Sequence, residues 1–115
     1  TEAVSKAVDF SIQASVECTL INCSHADIAS NSIRELARTP KFGIFANSST
    51  FKEIDLSIST KDIDAIHHLN SEIISAKEYA KIALNWAKEG AYVVGGCCGT
   101  TVEHTKQIKL LLETL

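Results

Sequence analysis

The chain has 115 residues, a formal charge of -3 at pH 7 and a hydrophobic fraction of 45%. This composition predicts one soluble globular unit over residues 1–115 and excludes an intrinsically disordered chain. The weak acidity gives no support for a nucleic acid or an anionic membrane as partner. No apolar run approaches the ~18 residues needed to cross a bilayer.

The N-terminal segment lacks the pattern of a signal peptide, so a cytoplasmic location is expected. It begins with Thr1 rather than methionine, which suggests a fragment or a processed product. The four cysteines, Cys18, Cys23, Cys97 and Cys98, are compatible with two disulfides in a small secreted domain. The regular α/β pattern and the adjacency of two of them favour reduced thiols in a cytosol instead.

Helices and strands alternate in the first part of the chain. Apolar residues at helical spacing predict a helix over residues 2–12, and a short buried run predicts a strand over residues 18–22. A second apolar stripe predicts a helix over residues 24–38, and Pro40 lies just beyond its end. A second strand is expected over residues 42–46.

The segment 47–70 is the least regular, and its polar content predicts a long loop with a short helix near residues 62–69. Ser75 and Glu78 form a capping box that opens the next helix, and Gly90 suits its C-terminal stop. Four residues of this helix are expected to face the core: Tyr79, Ile82, Ala83 and Trp86.

The last part of the chain predicts a third strand over residues 91–94, a tight turn over residues 95–99 and a second capping box over residues 100–103 that opens a final helix. Strands that alternate with amphipathic helices predict an α/β fold with a parallel sheet. Because the strands are uniformly apolar, both of their faces are expected to be covered.

Polar residues fall at the carboxyl end of each predicted strand. Asn22 and Cys23 end the first strand, Asn47 ends the second, and Cys97 and Cys98 end the third. In a parallel α/β barrel these ends share one rim, where active sites are built. Three thiolates on one rim would hold Zn²⁺ with a fourth position free, which is the pattern of a catalytic metal site.

Glycines surround the double cysteine. Gly95, Gly96 and Gly99 allow the sharp backbone turn by which two adjacent side chains reach one metal. Residues 95–104 read Gly-Gly-Cys-Cys-Gly-Thr-Thr-Val-Glu-His and resemble the signature of the homocysteine S-methyltransferase family, in which proline usually stands at the position of Val102.

Two further segments extend this resemblance to nearly the whole chain. Residues 21–25 resemble the upstream Asn-Cys motif of the family. Residues 46–49 match its Pro-Asn-Ala/Ser-Gly motif, with both the proline and the glycine replaced. The double-cysteine motif is the most specific of the three.

The resemblance implies the C-terminal portion, about three βα units, of a (β/α)₈ TIM barrel. It implies that Cys23, Cys97 and Cys98 bind zinc and that Asn47 lies close to the metal. Zinc would lower the pKa of the homocysteine thiol, whose thiolate then takes a methyl group in methionine biosynthesis. The donor differs among members: S-methylmethionine, S-adenosylmethionine, betaine, or a methylated folate or cobalamin. Asn22 either contacts the substrate or holds the strand end by hydrogen bonds.

Other hypotheses stay open beside this one. A (β/α)₈ barrel typically needs ~250 residues, and the edges of a three-stranded sheet invite self-association. The isolated chain is therefore expected to have little activity, and a truncated zinc-binding or assembly fragment without its own activity is the alternative. A thiol-redox or disulfide-bonded protein is a third hypothesis.

The remaining cysteine and the histidines have simpler interpretations. Cys18 is expected to be a buried strand residue. His25 either lies near the metal or packs at a helix start. His67 and His68 are expected to be solvated, and His104, in the first turn of the last helix, is expected to have a capping or structural role.

Overall fold

The computed structural model describes residues 2–51 and 71–115. The strands in this part of the chain are β1 Thr19–His25, β2 Phe42–Asn47, β3 Ser49–Phe51, β4 Ser71–Ile73 and β5 Val93–Gly96. β1, β2 and β5 form a parallel sheet with β2 in the centre, and β3 pairs with β4 in antiparallel fashion. The predicted α/β class with a parallel sheet is confirmed.

Helices connect each parallel strand to the next, because two parallel neighbours require a crossover. Two helices lie between β1 and β2, one precedes β5, and one follows it. None of the described helices is both long and apolar enough to span a membrane. The helices are α1 Glu2–Gln13, α2 Ala26–Asn31, α3 Ile33–Leu36, α4 Ala76–Lys88 and α5 Val102–Leu112.

The helix predicted over residues 24–38 is divided in two and begins later than expected. β1 continues to His25, so α2 starts at Ala26. Ser32 separates α2 from α3, and its hydroxyl donates to the Ile28 carbonyl at 2.8 Å. A serine that bonds the carbonyl four residues back tends to bend a helix. Ser11 and Ser30 make the same bond without interrupting α1 or α2, so the Ser32 bond alone does not explain the break.

The loop predicted over residues 47–70 is wrong at its start. Asn47 belongs to β2, and the polar residues that follow form β3, because pairing with β4 outweighs their preference for turns. The short helix expected near residues 62–69, with His67 and His68, lies outside the described residues.

The last strand and helix both begin later than predicted. Gly95 and Gly96 pair with β2 and therefore belong to β5 rather than to the turn. Thr101 is the N-cap of α5, and His104 instead of Glu103 takes the third position of its capping box. A histidine with an unprotonated ring nitrogen can accept a hydrogen bond from the N-cap N–H, as a glutamate would.

The core lies between the sheet and the helices, and α4 contributes its largest side chains. Ser75 caps α4 by accepting from the Glu78 N–H at 3.3 Å. Trp86, predicted as a core residue, donates from its indole N–H to the Ser30 hydroxyl at 2.7 Å and meets Tyr79 edge-on. The buried hydrophobic residues are Val8, Ala26, Ala29, Ile33, Leu36, Phe42, Ile44, Ala46, Tyr79, Ala80, Ala83, Trp86 and Ile108.

The two faces of the parallel sheet differ in how far other residues bury them. Ile44 and Ala46 of β2 point to the helices and are fully buried. On the opposite face Leu20 and Val93 flank Gly43, where an added Cβ would contact both side chains. Leu20 is nevertheless 45% exposed. The expectation that both faces of each strand are covered is therefore wrong for β1.

The Tyr79 hydroxyl joins β2 to β5. It lies 2.7 Å from the Ala46 carbonyl and 2.9 Å from the Gly95 carbonyl, and its one proton is shared between them. Burial raises the pKa of Tyr79, so the hydroxyl stays protonated at neutral pH.

Tyr79→Phe is therefore expected to lower the free energy of unfolding by about 1–2 kcal/mol, because two carbonyls lose a buried donor. Urea denaturation measures the change. Tyr92→Phe is the matched control, since Tyr92 is 70% exposed and its change should stay within about 0.5 kcal/mol. Equal losses in the two variants would contradict a role for the Tyr79 hydroxyl.

Candidate metal centre

The carboxyl ends of β1, β2 and β5 meet at one edge of the sheet, as expected for parallel strands. Cys23 lies near the end of β1, and Cys97 and Cys98 follow β5 directly. The ligand atoms of these three cysteines, their sulfurs, all lie within 4.8 Å of one another. The prediction that cysteines distant in sequence converge in space is confirmed.

Cys23 has an uncommon backbone conformation that takes its side chain out of the regular ladder. Its φ of +53° lies in the left-handed region, which costs a non-glycine residue about 1–3 kcal/mol. Pairing between β1 and β2 is regular up to Asn22 and resumes at His25 with a shifted register. Such an irregularity redirects a side chain at a strand end, and here the Cys23 sulfur lies beside those of Cys97 and Cys98.

The turn that carries Cys97 and Cys98 is held by its own backbone. The Cys97 N–H donates to the Ala46 carbonyl at 3.0 Å. The Cys97 carbonyl accepts from the N–H of Thr100 at 3.1 Å and from its hydroxyl at 2.7 Å. Gly99 has a φ of +78°, a conformation that glycine adopts without steric cost. Of the three glycines predicted to shape the turn, Gly99 is the one with this conformation.

Asn47 and Ser48, at the end of β2, hold the backbone of Cys98. The Cys98 N–H donates to Asn47 Oδ1 at 3.1 Å, and the Ser48 N–H donates to the Cys98 carbonyl at 2.9 Å. Asn47 thus lies beside the three cysteines, and its amide oxygen accepts a hydrogen bond from the backbone of Cys98. Sequence reasoning assigns Ser48 no role of its own, although it stands at the Ala/Ser position of the motif that contains Asn47.

The other residues considered from the sequence lie around or away from this cluster. Asn22 is exposed near the same end of β1. His25 bonds Ser49 through Nδ1 at 2.9 Å and packs against Phe51, so the structure ties it to β3. Cys18 precedes β1 at the opposite end of the sheet and is half-buried, which corrects the expectation of a buried strand residue.

The sulfurs of Cys23 and Cys97 are in direct contact, with Cα atoms 5.6 Å apart, a separation that a disulfide could also span. Cys18 and Cys98 are free. The expectation of reduced thiols stays a prediction, since sulfurs this close suit either a disulfide or a shared metal ion. The contact itself is tertiary, because two strand ends bring together cysteines that are 74 residues apart in sequence.

The three cysteines fit a zinc ion once they are reduced, because the thiolate is the ligand. Zn–S bonds are about 2.3 Å long in a tetrahedral site, so sulfurs on one zinc lie about 3.8 Å apart. The spread of at most 4.8 Å among the Cys23, Cys97 and Cys98 sulfurs is compatible with one such ion after small side-chain rotations. Three soft donors in one cluster suit zinc better than magnesium or calcium, which prefer oxygen.

A comparison with protein families agrees with the motifs and with this geometry. The family model described as homocysteine S-methyltransferase matches residues 1–112, which is nearly the entire chain. The match includes Cys23, Cys97, Cys98 and Asn47 together with the three parallel strands that position them. The chain therefore belongs to the homocysteine S-methyltransferase family.

Proposed function

We propose that this chain carries the zinc site of a homocysteine S-methyltransferase and takes part in the transfer of a methyl group to homocysteine, giving methionine. The observation that carries the proposal is the cluster of three cysteine sulfurs within 4.8 Å. The cluster lies at the carboxyl edge of a parallel sheet, where open α/β sheets bind their ligands.

We also infer that residues 1–115 form the C-terminal portion of a (β/α)₈ TIM barrel. The parallel strands follow one another in chain order with helices between them, as successive βα units do. The helices cover one face of the sheet, whereas Leu20, Phe45 and Val93 lie on the face that would line a barrel interior. Further strands, from another segment or from a second copy of the chain, would complete the barrel.

Each site residue has a definite task in this proposal. Cys23, Cys97 and Cys98 supply three thiolates and leave one coordination position for the substrate. Zinc bound there would lower the pKa of the homocysteine thiol, so that its thiolate exists at neutral pH. Asn22 and Asn47 are proposed to contact the amino acid substrate from the same edge of the sheet.

The reaction needs a methyl donor beside homocysteine. Homocysteine loses its thiol proton, its sulfur forms a bond to the methyl carbon, and the bond between that carbon and the donor breaks. S-Methylmethionine, S-adenosylmethionine, betaine and a methylated folate or cobalamin are the candidate donors. The reduced thiols that the site requires favour a cytoplasmic location.

Metal analysis of the reduced and the oxidised chain tests the zinc site. One zinc per chain is expected after reduction, since all three ligands are then thiolates. When the Cys23–Cys97 disulfide is intact, binding should be lost and thiol titration should find two thiols fewer. Equal zinc binding by both forms would contradict the assignment of Cys23 and Cys97 as ligands.

Methionine formation from homocysteine, followed by mass spectrometry with each donor in turn, tests the activity. The zinc-loaded chain alone is expected to form little methionine, whereas the chain supplemented with the further strands of the barrel is expected to form it with one of the donors. Zinc binding without methionine from any donor would support the alternative of a zinc-binding or assembly module.

A second candidate function is that of a dithiol–disulfide protein, and the contact between the Cys23 and Cys97 sulfurs favours it. In that case the pair would cycle between oxidised and reduced forms, while Cys98 would be dispensable. The metal measurement separates the two candidates, because a redox pair has no need of a third thiolate.

A further inference from the structure

His104 lies at the third position of α5, between the helix and the strand ends. It is 8% exposed, and its ring meets Tyr79 edge-on with centroids 5.6 Å apart. Both ring nitrogens have partners. Nδ1 lies 3.0 Å from the Thr101 backbone nitrogen, and Nε2 lies 2.9 Å from the Ser48 hydroxyl oxygen.

These partners determine which ring nitrogen carries the proton. A backbone N–H only donates, so Nδ1 accepts from Thr101 and the proton of the neutral ring lies on Nε2. The Ser48 hydroxyl donates at 2.6 Å to the Ile74 carbonyl, which only accepts. The Ser48 oxygen therefore accepts from His104. One directed series of hydrogen bonds runs from Thr101 through His104 and Ser48 to Ile74.

Ser48 is also one of the two residues that hold the double-cysteine turn. Its side chain is buried at 3% exposure, and its N–H donates to the Cys98 carbonyl at 2.9 Å. Asn47, its neighbour, accepts from the Cys98 N–H. His104 thus connects the helix that follows the turn with the strand end that orients Cys98.

We propose that His104 is a positioning residue for the metal centre. By donating from Nε2 to Ser48, it keeps the segment of Asn47 and Ser48 against Cys98 and aims the Cys98 thiolate at the cluster. His104 acts through Ser48 and is not itself a ligand. The effect on metal affinity rests on the proposed zinc function, whereas the effect on the backbone of Cys98 does not.

Two isosteric variants isolate the hydrogen bond to Ser48. Both His104→Gln and His104→Glu keep an oxygen that accepts from the Thr101 N–H, as residues at this position of a capping box do. Only the glutamine retains a donor for Ser48. Zinc affinity of the reduced chain, measured by competition with a chelating dye, is expected to fall about 10-fold or more in His104→Glu and to stay within about 3-fold of wild type in His104→Gln.

Charge and stability do not explain this expected difference. The added carboxylate of His104→Glu would by itself attract a cation, so a loss of affinity opposes its electrostatic effect. Ile108→Val, at a buried residue of the same helix, is the control for general destabilisation and should lower the thermal midpoint without changing the zinc affinity. In a Ser48→Ala background, the effect of His104→Glu on affinity should disappear, because the two residues act in series.

Amide hydrogen exchange of the reduced, metal-free chain gives a readout that needs no zinc. The amides of Ser48 and Cys98 are expected to exchange faster in His104→Glu than in wild type and His104→Gln. Equal zinc affinity in the two variants, or unchanged exchange at both amides, would overturn the proposal. If wild type binds no zinc, the proposed function fails, and the exchange measurement still decides the positioning role.

Discussion

Cys98→Ala is expected to lower the zinc affinity of the reduced chain by at least about 100-fold, the upper end of what loss of an outer contact costs a metal site. The physical reason is that a ligand is lost outright, which leaves two thiolates where a zinc site needs three or four protein ligands. Equilibrium competition with a chelating dye, together with metal analysis of the dialysed protein, measures the change.

Cys98 separates the zinc hypothesis from the redox hypothesis, because the redox pair would be Cys23 and Cys97, whose sulfurs are in contact, whereas Cys98 is free. Cys98→Ala should still form the Cys23–Cys97 disulfide on oxidation, although it no longer holds zinc. Cys23→Ala should lose both properties. Cys18→Ala is the matched control and should keep both, since Cys18 lies at the other end of the sheet. Wild-type zinc affinity in Cys98→Ala would reject the three-thiolate site.

Trp86→Ala is expected to destabilise the chain by about 3–5 kcal/mol, a large part of the 5–15 kcal/mol that typically holds a domain together. Trp86 is 1% exposed, it meets Tyr79 with ring centroids 5.7 Å apart, and its indole N–H is bonded to Ser30. Its removal leaves a cavity at the contact between α4 and α2. Urea unfolding followed by far-ultraviolet circular dichroism measures the loss without relying on tryptophan fluorescence.

Two further variants serve as comparisons for Trp86→Ala. Trp86→Phe keeps part of the ring and should cost less than alanine, while leaving Ser30 without its donor. Leu110→Ala, at a residue of α5 that is 57% exposed, should change the unfolding free energy by no more than about 0.5 kcal/mol. A loss in Trp86→Ala as small as that of Leu110→Ala would show that the core does not depend on this ring.

Much of the fold can be predicted from periodicity and capping residues. Ser75 and Glu78 mark the start of α4, and the structure has that helix with the Ser75 half of the predicted capping box, while the Glu78 carboxylate accepts from Lys81. The division of the predicted helix at Ser32 gives no sign in the sequence. Ser32 bonds the carbonyl four residues back, but Ser11 and Ser30 do the same inside unbroken helices.

The end of β2 shows why a loop prediction fails beside a sheet. The residues after Asn47 are polar and suit a turn, yet they form β3 because β4, more than 20 residues along the chain, lies beside them. Pairing over such a separation leaves no periodic signal within either segment.

The candidate site is likewise predictable from the sequence in part. The double-cysteine turn and the Asn-Cys motif point to Cys97, Cys98 and Cys23 through their resemblance to the family's motifs. Their convergence follows from the fold, because the carboxyl ends of parallel strands share one edge. The role of Ser48 and its bond to His104 is not predictable, since 56 residues separate the two. His104 follows the double cysteine in the motif, but its partner is set only by packing.

Local residue type and spacing predict the alternation of helices and strands, the family and the three cysteines. Packing alone shows that the Cys23 and Cys97 sulfurs are in contact, how Asn47 and Ser48 hold Cys98, and that Leu20 is exposed on one face of the sheet. Those features depend on contacts between segments far apart in the chain, where register and side-chain direction follow from packing. The sequence motifs thus identify the cysteines, and the folded structure supplies the hydrogen bonds that orient them.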